Sequence, residues 1–259
     1  MEKGICRLCI VPVRKEPADS SEMVTQLLFG DHYSVTEFTA DRKWCRINIH
    51  FDGYEGWIDT KQHMQISFEY FEEINANEFR ISIDLINTIL YRKKPLQIVI
   101  GSILPIANTE LFNMEEQFAF NGESKRLGQH REFEFLKSMA FKYLNAPYLW
   151  GGKSPFGIDC SGFTQMVFKL AGYNLKRDSM QQVHQGEDVA TLEDSRPGDL
   201  VFFQRERGRI THVGILLEDQ KIIHASGRVR VDLLDESGIF NTSMNLHTHN
   251  MAIIKRILR

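Results

Sequence analysis

A cysteine stands between an aspartate and a serine at residues 159–161, where the loop "YLWGGKSPFGID" gives way to the apolar run "SGFTQMVFKLAG". A thiol acts as a nucleophile only as its thiolate. Its ordinary pKa of roughly 8.5 falls at a helix N-terminus or beside an imidazolium. If the apolar run is helical, Cys160 opens it, and the unpaired N–H groups of the first turn favour negative charge at the sulfur. Asp159 or Ser161 can cap such a helix. A backbone N–H beside the sulfur can also hold an oxyanion.

The second requirement is a base. His212 begins "HVGILL" and His224 lies in "KIIHASG". If these are neighbouring strands, His212 can face the helix start while His224 bonds its far nitrogen and fixes its tautomer. Nucleophile, base and orienting group then follow in the order Cys160, His212, His224. Four cysteines and nine histidines also occur in proteins where they are unrelated, so these residues alone leave the chemistry open. His247 and His249 in "LHTHN" read as surface loop residues. Taken singly, Tyr148 and Trp150 read as loop packing and Asp159 as a cap.

Three segments must position this set. Residues 1–64 contain "SVTEF", "WCRINI" and "GYEGWID", short β-branched and aromatic runs separated by "DHY", "DRK" and "DG", which suggest a small barrel. Residues 65–124 begin with a helix-like piece, "FEYFEEINANEFRISIDLINTIL", followed by strand-like "LQIVIGSILPI" and "EEQFAFNGES". They read as a second, degenerate barrel or as a linker domain. From 125 to 259 the texture changes. "REFEFLKSMAFKYLN" spaces Phe133, Leu136, Ala140 and Leu144 as on a helix and stops at Asn145-Ala146-Pro147. "RPGDLVFF", "HVGILL", "KIIHASG" and "MAIIKRI" then read as strands. Helices followed by an antiparallel sheet make an α+β pattern.

Composition narrows the partners. With 259 residues, 42% hydrophobic and 25% charged, the chain has an ordinary globular makeup, and a net charge of -3 without a polybasic run argues against nucleic acid or an anionic membrane surface. No apolar stretch approaches the roughly 20 residues of a membrane span. Arg7, Pro12 and Arg14 interrupt any signal-like core in "MEKGICRLCIVPVRKEPADS". The expectation is a cytoplasmic protein, with an exported mature form left open. Cys6, Cys9, Cys45 and Cys160 are too scattered for a disulfide framework. Cys6 and Cys9 form a C-x-x-C without a second pair of ligands, so ordinary packing and no metal or cofactor are expected there.

Five stretches carry a family resemblance. "PYLWGGKSPFGIDCSGFTQMVF", "KRDSMQQ", "RPGDLVFF", "THVGILL" and "IIHASG", taken together over about 125–259, resemble the NlpC/P60 family of papain-like cysteine peptidases. The resemblance implies Cys160 as nucleophile, His212 as base, His224 as the third, polar member, and Tyr148 as the hydroxyl assisting the oxyanion site. "QLLFGDHYSVTEF", "DRKWCRINI" and "DGYEGWI" resemble a bacterial SH3-like (SH3b) domain. One or two such barrels ahead of an NlpC/P60 domain resemble the YkfC-like γ-D-glutamyl-L-diamino acid endopeptidases, in which a free N-terminal L-Ala is read.

That subgroup implies a set of substrate contacts. Asp31 and Asp159, with Tyr54, would meet the substrate amine. Asp31 stands where the subgroup usually has a glutamate and is one methylene shorter. Ser161 and Ser179 would meet the D-glutamate carboxylate, Arg177 and Asp178 would organise that loop, and Trp150 would line the site. The implied protein is a cytoplasmic, monomeric cysteine peptidase that releases L-Ala-γ-D-Glu from peptidoglycan tri- or tetrapeptides. Alternatives are a hydrolase of intact peptidoglycan and a non-catalytic binder of wall fragments. The residues do not choose between meso-diaminopimelate and lysine after D-Glu.

Overall fold

Alternation of apolar and polar residues produces the first strands where the sequence predicts them. "WCRINI" is the strand Trp44–Ile49 and "SVTEF" ends the strand His32–Phe38. The structure is a computed structural model and describes residues 1–76, 79–107, 112–113, 117–205 and 208–258. By contacts the chain parts into two units, Met1–Gln129 with Trp150–Pro155, and His130–Leu149 with Phe156–Arg259.

In the first unit, seven antiparallel strands are ordered Met23–Leu28, Ile10–Arg14, Glu55–Asp59, Trp44–Ile49, His32–Phe38, Lys3–Ile5, Met64–Ile66. Side chains of period two, such as Val11 and Val13 or Cys45, Ile47 and Ile49, point to one face and form its core with Cys6, Leu27, Tyr33, Val35 and Ile58. Cys6 is therefore a packing residue, and both it and Cys9 are free thiols. The turn after Leu28 needs Gly30, at φ 86°, because a Cβ there would overlap the Ile103 carbonyl.

Among its described residues the long helix-like piece is helical only over Phe68–Asn75, where Ser67 Oγ accepts the Tyr70 N–H at 3.1 Å. Phe79–Ser82 and Ile86–Tyr91 are strands, because their isoleucines favour a pleated, half-buried surface over a helix. Part of "EEQFAFNGES" lies outside the described residues; Phe118–Ala119 is a strand. Two small sheets enclose Phe29, Ile89, Ile98, Leu104, Ile106, Phe118 and Phe120.

In the second unit the helix Phe133–Lys142 buries Leu136, Met139 and Ala140. Leu144, expected on that stripe, lies beyond the helix end and is 40% exposed. The helix Cys160–Leu170 is buried along its whole length. The sheet runs Glu187–Val189, Leu246–Arg256, Leu200–Gln204, Ile210–Leu216, Lys221–Ser226, Arg228–Asp235, Gly238–Asn241, and the last strand pairs back onto Leu246–Arg256. Six of these strands thus close into a ring around Val201, Phe203, Leu216, Ile222, Leu234, Ile239 and Ile254. The strands Arg228–Asp235 and Gly238–Asn241 were not expected, because "RVRVDLLD" hides its apolar alternation among charges. No helix among the described residues is long and apolar enough to cross a membrane.

Candidate active site

The helix Cys160–Leu170 starts where its cap dictates. Asp159 Oδ1 accepts the Gly162 N–H at 2.7 Å, so Cys160 is the first helical residue. The same carboxylate accepts a bidentate pair from Arg177, Nη1 to Oδ1 at 3.0 Å and Nη2 to Oδ2 at 2.7 Å. Nη1 also reaches Ser161 Oγ at 3.0 Å. Arg177 is 1% exposed, and a buried charge pair persists only with this kind of paired geometry. Asp159, expected at a substrate amine, is thus engaged by the chain's own guanidinium. Gln182, unremarked in the sequence, donates to the carbonyls of Ser161 at 3.0 Å and Lys176 at 2.8 Å and accepts from Thr164 Oγ1. It ties the short helix Ser179–Gln182, which Ser179 opens, to the first turn under the thiol. Asp178 precedes that helix, its N–H directed to Gln181 Oε1 at 3.3 Å.

The histidines come from adjacent strands. His224 is opposite Gly214 on one side and Arg230 on the other. His212 lies two residues before Gly214 and Asp232 two after Arg230, so all share one face and meet as diagonal neighbours. Gly214 makes the space: a Cβ there would stand 2.7 Å from Ile222 Cδ1 and 3.0 Å from His224 Cβ. His212 Nε2 lies 2.8 Å from His224 Nδ1, His224 Nε2 lies 2.9 Å from Asp232 Oδ2, and Arg230 Nη2 donates to Asp232 Oδ1 at 2.7 Å.

The carboxylate at the end of this row assigns the hydrogens along it. A carboxylate only accepts, so His224 Nε2 carries its hydrogen. Neutral His224 then accepts at Nδ1, and His212 Nε2 donates to it. His212 Nδ1 is left with its lone pair, the form required of a general base.

Burial sets the protonation states. The Cys160 thiol is pushed up to about 12, first by burial and then by the Asp159 carboxylate, against the favourable backbone N–H groups of Val213 and Ser161. The helix start was expected to lower this value; desolvation of the thiolate outweighs it. His212 is pushed well below the usual imidazole range by burial, then by His224 and His249, and His224 is lowered by burial against the opposing pull of Asp232. Burial alone would raise the Asp232 carboxyl, but the hydrogen bonds from His224 and Arg230 more than reverse it. Tyr148 is raised to about 12 by burial and by the neighbouring Cys160 and Asp159, so its hydroxyl keeps its hydrogen. Burial therefore disfavours the charged forms of both the Cys160 thiol and the His212 imidazole.

Comparison with known proteins gives the family. The NlpC/P60 family pattern matches residues 145–247, and that of the bacterial dipeptidyl-peptidase Sh3 domain matches 13–62. A γ-D-glutamyl-L-lysine dipeptidyl-peptidase of Bacillus subtilis is 31% identical over 221 residues, spanning 78% of this chain and 71% of the relative. The chain belongs to the NlpC/P60 family. A dipeptidyl-peptidase 6 of Lysinibacillus sphaericus is 26% identical over 245 residues, 85% of this chain and 88% of that protein. The crystal structure of an NlpC/P60 family protein from Bacillus cereus shares the fold, with a TM-score of 0.82 over 99% of this chain and 100% of that one at 22% identity. The chain is thus an NlpC/P60 cysteine peptidase with an SH3-like N-terminal domain.

The remaining expected residues of this NlpC/P60 peptidase lie in the first unit. Asp31 Oδ2 accepts the Leu28 N–H at 2.9 Å and stands 3.8 Å from Lys153 Nζ, with both side chains buried. The carboxylate expected at a substrate ammonium already faces one of the chain's own. Trp150 Nε1 donates to Glu22 Oε1 at 2.7 Å, and the Lys153 N–H donates to Gln26 Oε1 at 2.8 Å. Tyr54 packs against the barrel core.

Sequence reasoning missed two residues of the second unit. Asp232 completes the histidine row. His249, expected in a surface loop, lies on the strand Leu246–Arg256, half-buried, with its ring stacked on His212 at a centroid distance of 4.2 Å. His247 is on the same strand, exposed and bonded to Asp235 at 2.8 Å.

Proposed function

We propose that this peptidase hydrolyses the γ-D-glutamyl-L-diamino acid bond of a peptidoglycan-derived tri- or tetrapeptide with a free N-terminal L-Ala, releasing L-Ala-γ-D-Glu. The observation that carries the reading is the hydrogen-bonded row His212–His224–Asp232, which leaves His212 Nδ1 as an acceptor on the strand whose next N–H, that of Val213, serves the Cys160 sulfur. Relatives named dipeptidyl-peptidases supply the bond and the dipeptide product.

In the proposed reaction Cys160 Sγ attacks the γ-carbonyl carbon of D-glutamate as His212 Nδ1 takes the thiol proton. The Tyr148 hydroxyl and a backbone N–H at the helix start hold the oxyanion. The C–N bond then breaks, the amine leaves with the proton from His212, and a thioester remains. A water deprotonated by His212 attacks that thioester, releasing the dipeptide acid and the Cys160 thiol. His224 holds the imidazole in register.

Ser161 and Ser179 are assigned to the D-glutamate α-carboxylate, with Arg177 and Asp178 shaping their loop. Asp31, Tyr54 and Asp159 are assigned to the amine end by resemblance to the dipeptidyl-peptidases, the two carboxylates being shared with Lys153 and Arg177, and Trp150 is assigned to the lining of the site. A barrel at 1–64, a second small domain at 65–124 and a peptidase domain at 125–259, acting as a cytoplasmic monomer in recycling of wall peptides, complete the reading.

The test is mass spectrometry of products from L-Ala-γ-D-Glu-diaminopimelate, its N-acetylated counterpart and intact sacculi. Cleavage of the free-amine peptide alone is expected. Equal cleavage of the blocked peptide or of sacculi would replace the reading with a wall hydrolase, and binding without cleavage with a binding protein.

A further inference from the structure

A cavity of about 670 Å³ adjoins His212 and has no role in the chemistry above. Besides Tyr148 and His212, its lining includes Gln204, Arg205, Thr211 and Asn250. No aspartate or glutamate is among its described lining residues. Arg205 is exposed and has no ion pair among the described residues. Its charge is felt inside the cavity nonetheless. His249, also in the lining, is pushed down to about 4 by burial first, then by His224 and Arg205. Among the described lining residues the cavity thus offers the cation of Arg205 beside neutral amide and hydroxyl groups.

Its location identifies the part of a substrate that would fill it. The departing amine must collect its proton from His212, so the leaving group lies on the imidazole side of the scissile bond. His212 lines the cavity and Cys160 does not. We infer that this cavity is the leaving-group subsite, and that Arg205 reads a carboxylate of the departing amino acid, with Gln204, Thr211 and Asn250 as neutral hydrogen-bonding partners.

The inference rests on the proposed hydrolysis of a γ-glutamyl amide and extends it to specificity. A departing amino acid with free carboxylates is favoured over its amide, since guanidinium and carboxylate match in charge and fork geometry. Among the described lining residues a lysine side chain would find no acidic partner, whereas the side-chain end of meso-diaminopimelate carries its own carboxylate. The subsite therefore favours meso-diaminopimelate over lysine.

The test measures kcat/KM for L-Ala-γ-D-Glu-meso-diaminopimelate and for the same peptide with both diaminopimelate carboxyls amidated, using the full chain and its Arg205→Gln and Arg205→Lys variants. The full chain is expected to prefer the acid by about five- to tenfold, the scale of a partly exposed charged hydrogen bond. Arg205→Gln should bring that ratio close to one by raising KM for the acid peptide, and Arg205→Lys should retain most of it. A preference that survives Arg205→Gln, or equal cleavage of both peptides by the full chain, would overturn the subsite and leave the proposed function standing. Cleavage of neither peptide would overturn the proposed function, and the subsite with it.

Discussion

Two buried thiols, one in each unit, differ in what surrounds the sulfur. Cys6 in the barrel core and Cys160 at the helix start are both free and both pushed up to about 12, burial being the leading cause in each. Their resting acidity does not distinguish them. Their neighbours do: Cys6 Sγ donates to the Leu8 carbonyl at 3.3 Å, whereas the Cys160 sulfur meets the N–H groups of Val213 and Ser161, and Val213 directly follows His212. In the proposed reaction, a proton acceptor and a stabiliser for the developing anion at the moment of attack make the buried Cys160 thiol the nucleophile.

The largest test of that contrast is removal of each thiol. Cys160→Ala should lower peptide turnover by at least about a thousandfold, while Cys6→Ala should leave kcat/KM within about twofold; appreciable hydrolysis by Cys160→Ala would break the comparison. Next is the ion pair at the helix start beside Cys160. Arg177→Met leaves the Asp159 carboxylate buried without its cation, and a loss of about 3–5 kcal/mol is expected in denaturant unfolding. An unchanged unfolding midpoint would show that the pair does not hold the helix start.

Asp232→Asn tests the proton acceptor itself. An amide can present its NH₂ to His224 Nε2, which reverses the tautomers along the row and places a hydrogen on His212 Nδ1. A fall in kcat of about a hundredfold or more is expected, with the altered tautomer visible in ¹⁵N imidazole spectra; wild-type kcat would remove Asp232 from the mechanism.

Smaller effects follow from pH. Because His212, His224 and His249 are all lowered from 6.5, kcat/KM should stay level as pH falls through 6.5 and decline only well below it. The same histidines make the unfolded chain the better proton binder in that range. Stability is therefore retained above about 6.5 and lost as pH falls toward about 4, the value reached by His249. Alkylation of Cys160 by iodoacetamide should keep accelerating above the ordinary thiol range instead of levelling near roughly 8.5; a plateau there would mean a lower thiol pKa. The smallest expected effect is on the barrel, where Cys6→Ala should cost about 1–2 kcal/mol of stability through the cavity it leaves.

How much was legible depended on how local each signal is. Trp44–Ile49 and the helix begun by Cys160 were read correctly because side-chain period and a capping aspartate are written in neighbouring residues. The extent of helix after Phe68 was misjudged because an apolar stretch with isoleucines fits both periods until its neighbours choose. Asp232 was missed because in "RVRVDLLD" it resembles a solvated charge; its place beside His224 follows only from the hairpin register that pairs His224 with Arg230. His249 reaches His212 from a strand that closes the ring.

By itself the sequence determined the helix that begins at the thiol and the family, since caps, side-chain periods and motif spacing are properties of adjacent residues. Only the tertiary structure decided that burial overrides the helix start at Cys160, that Arg177 takes Asp159 and Lys153 faces Asp31, and that Asp232 fixes the tautomers. Desolvation, ion pairing and hydrogen location depend on which distant groups share one low-dielectric space, and chain order does not specify that.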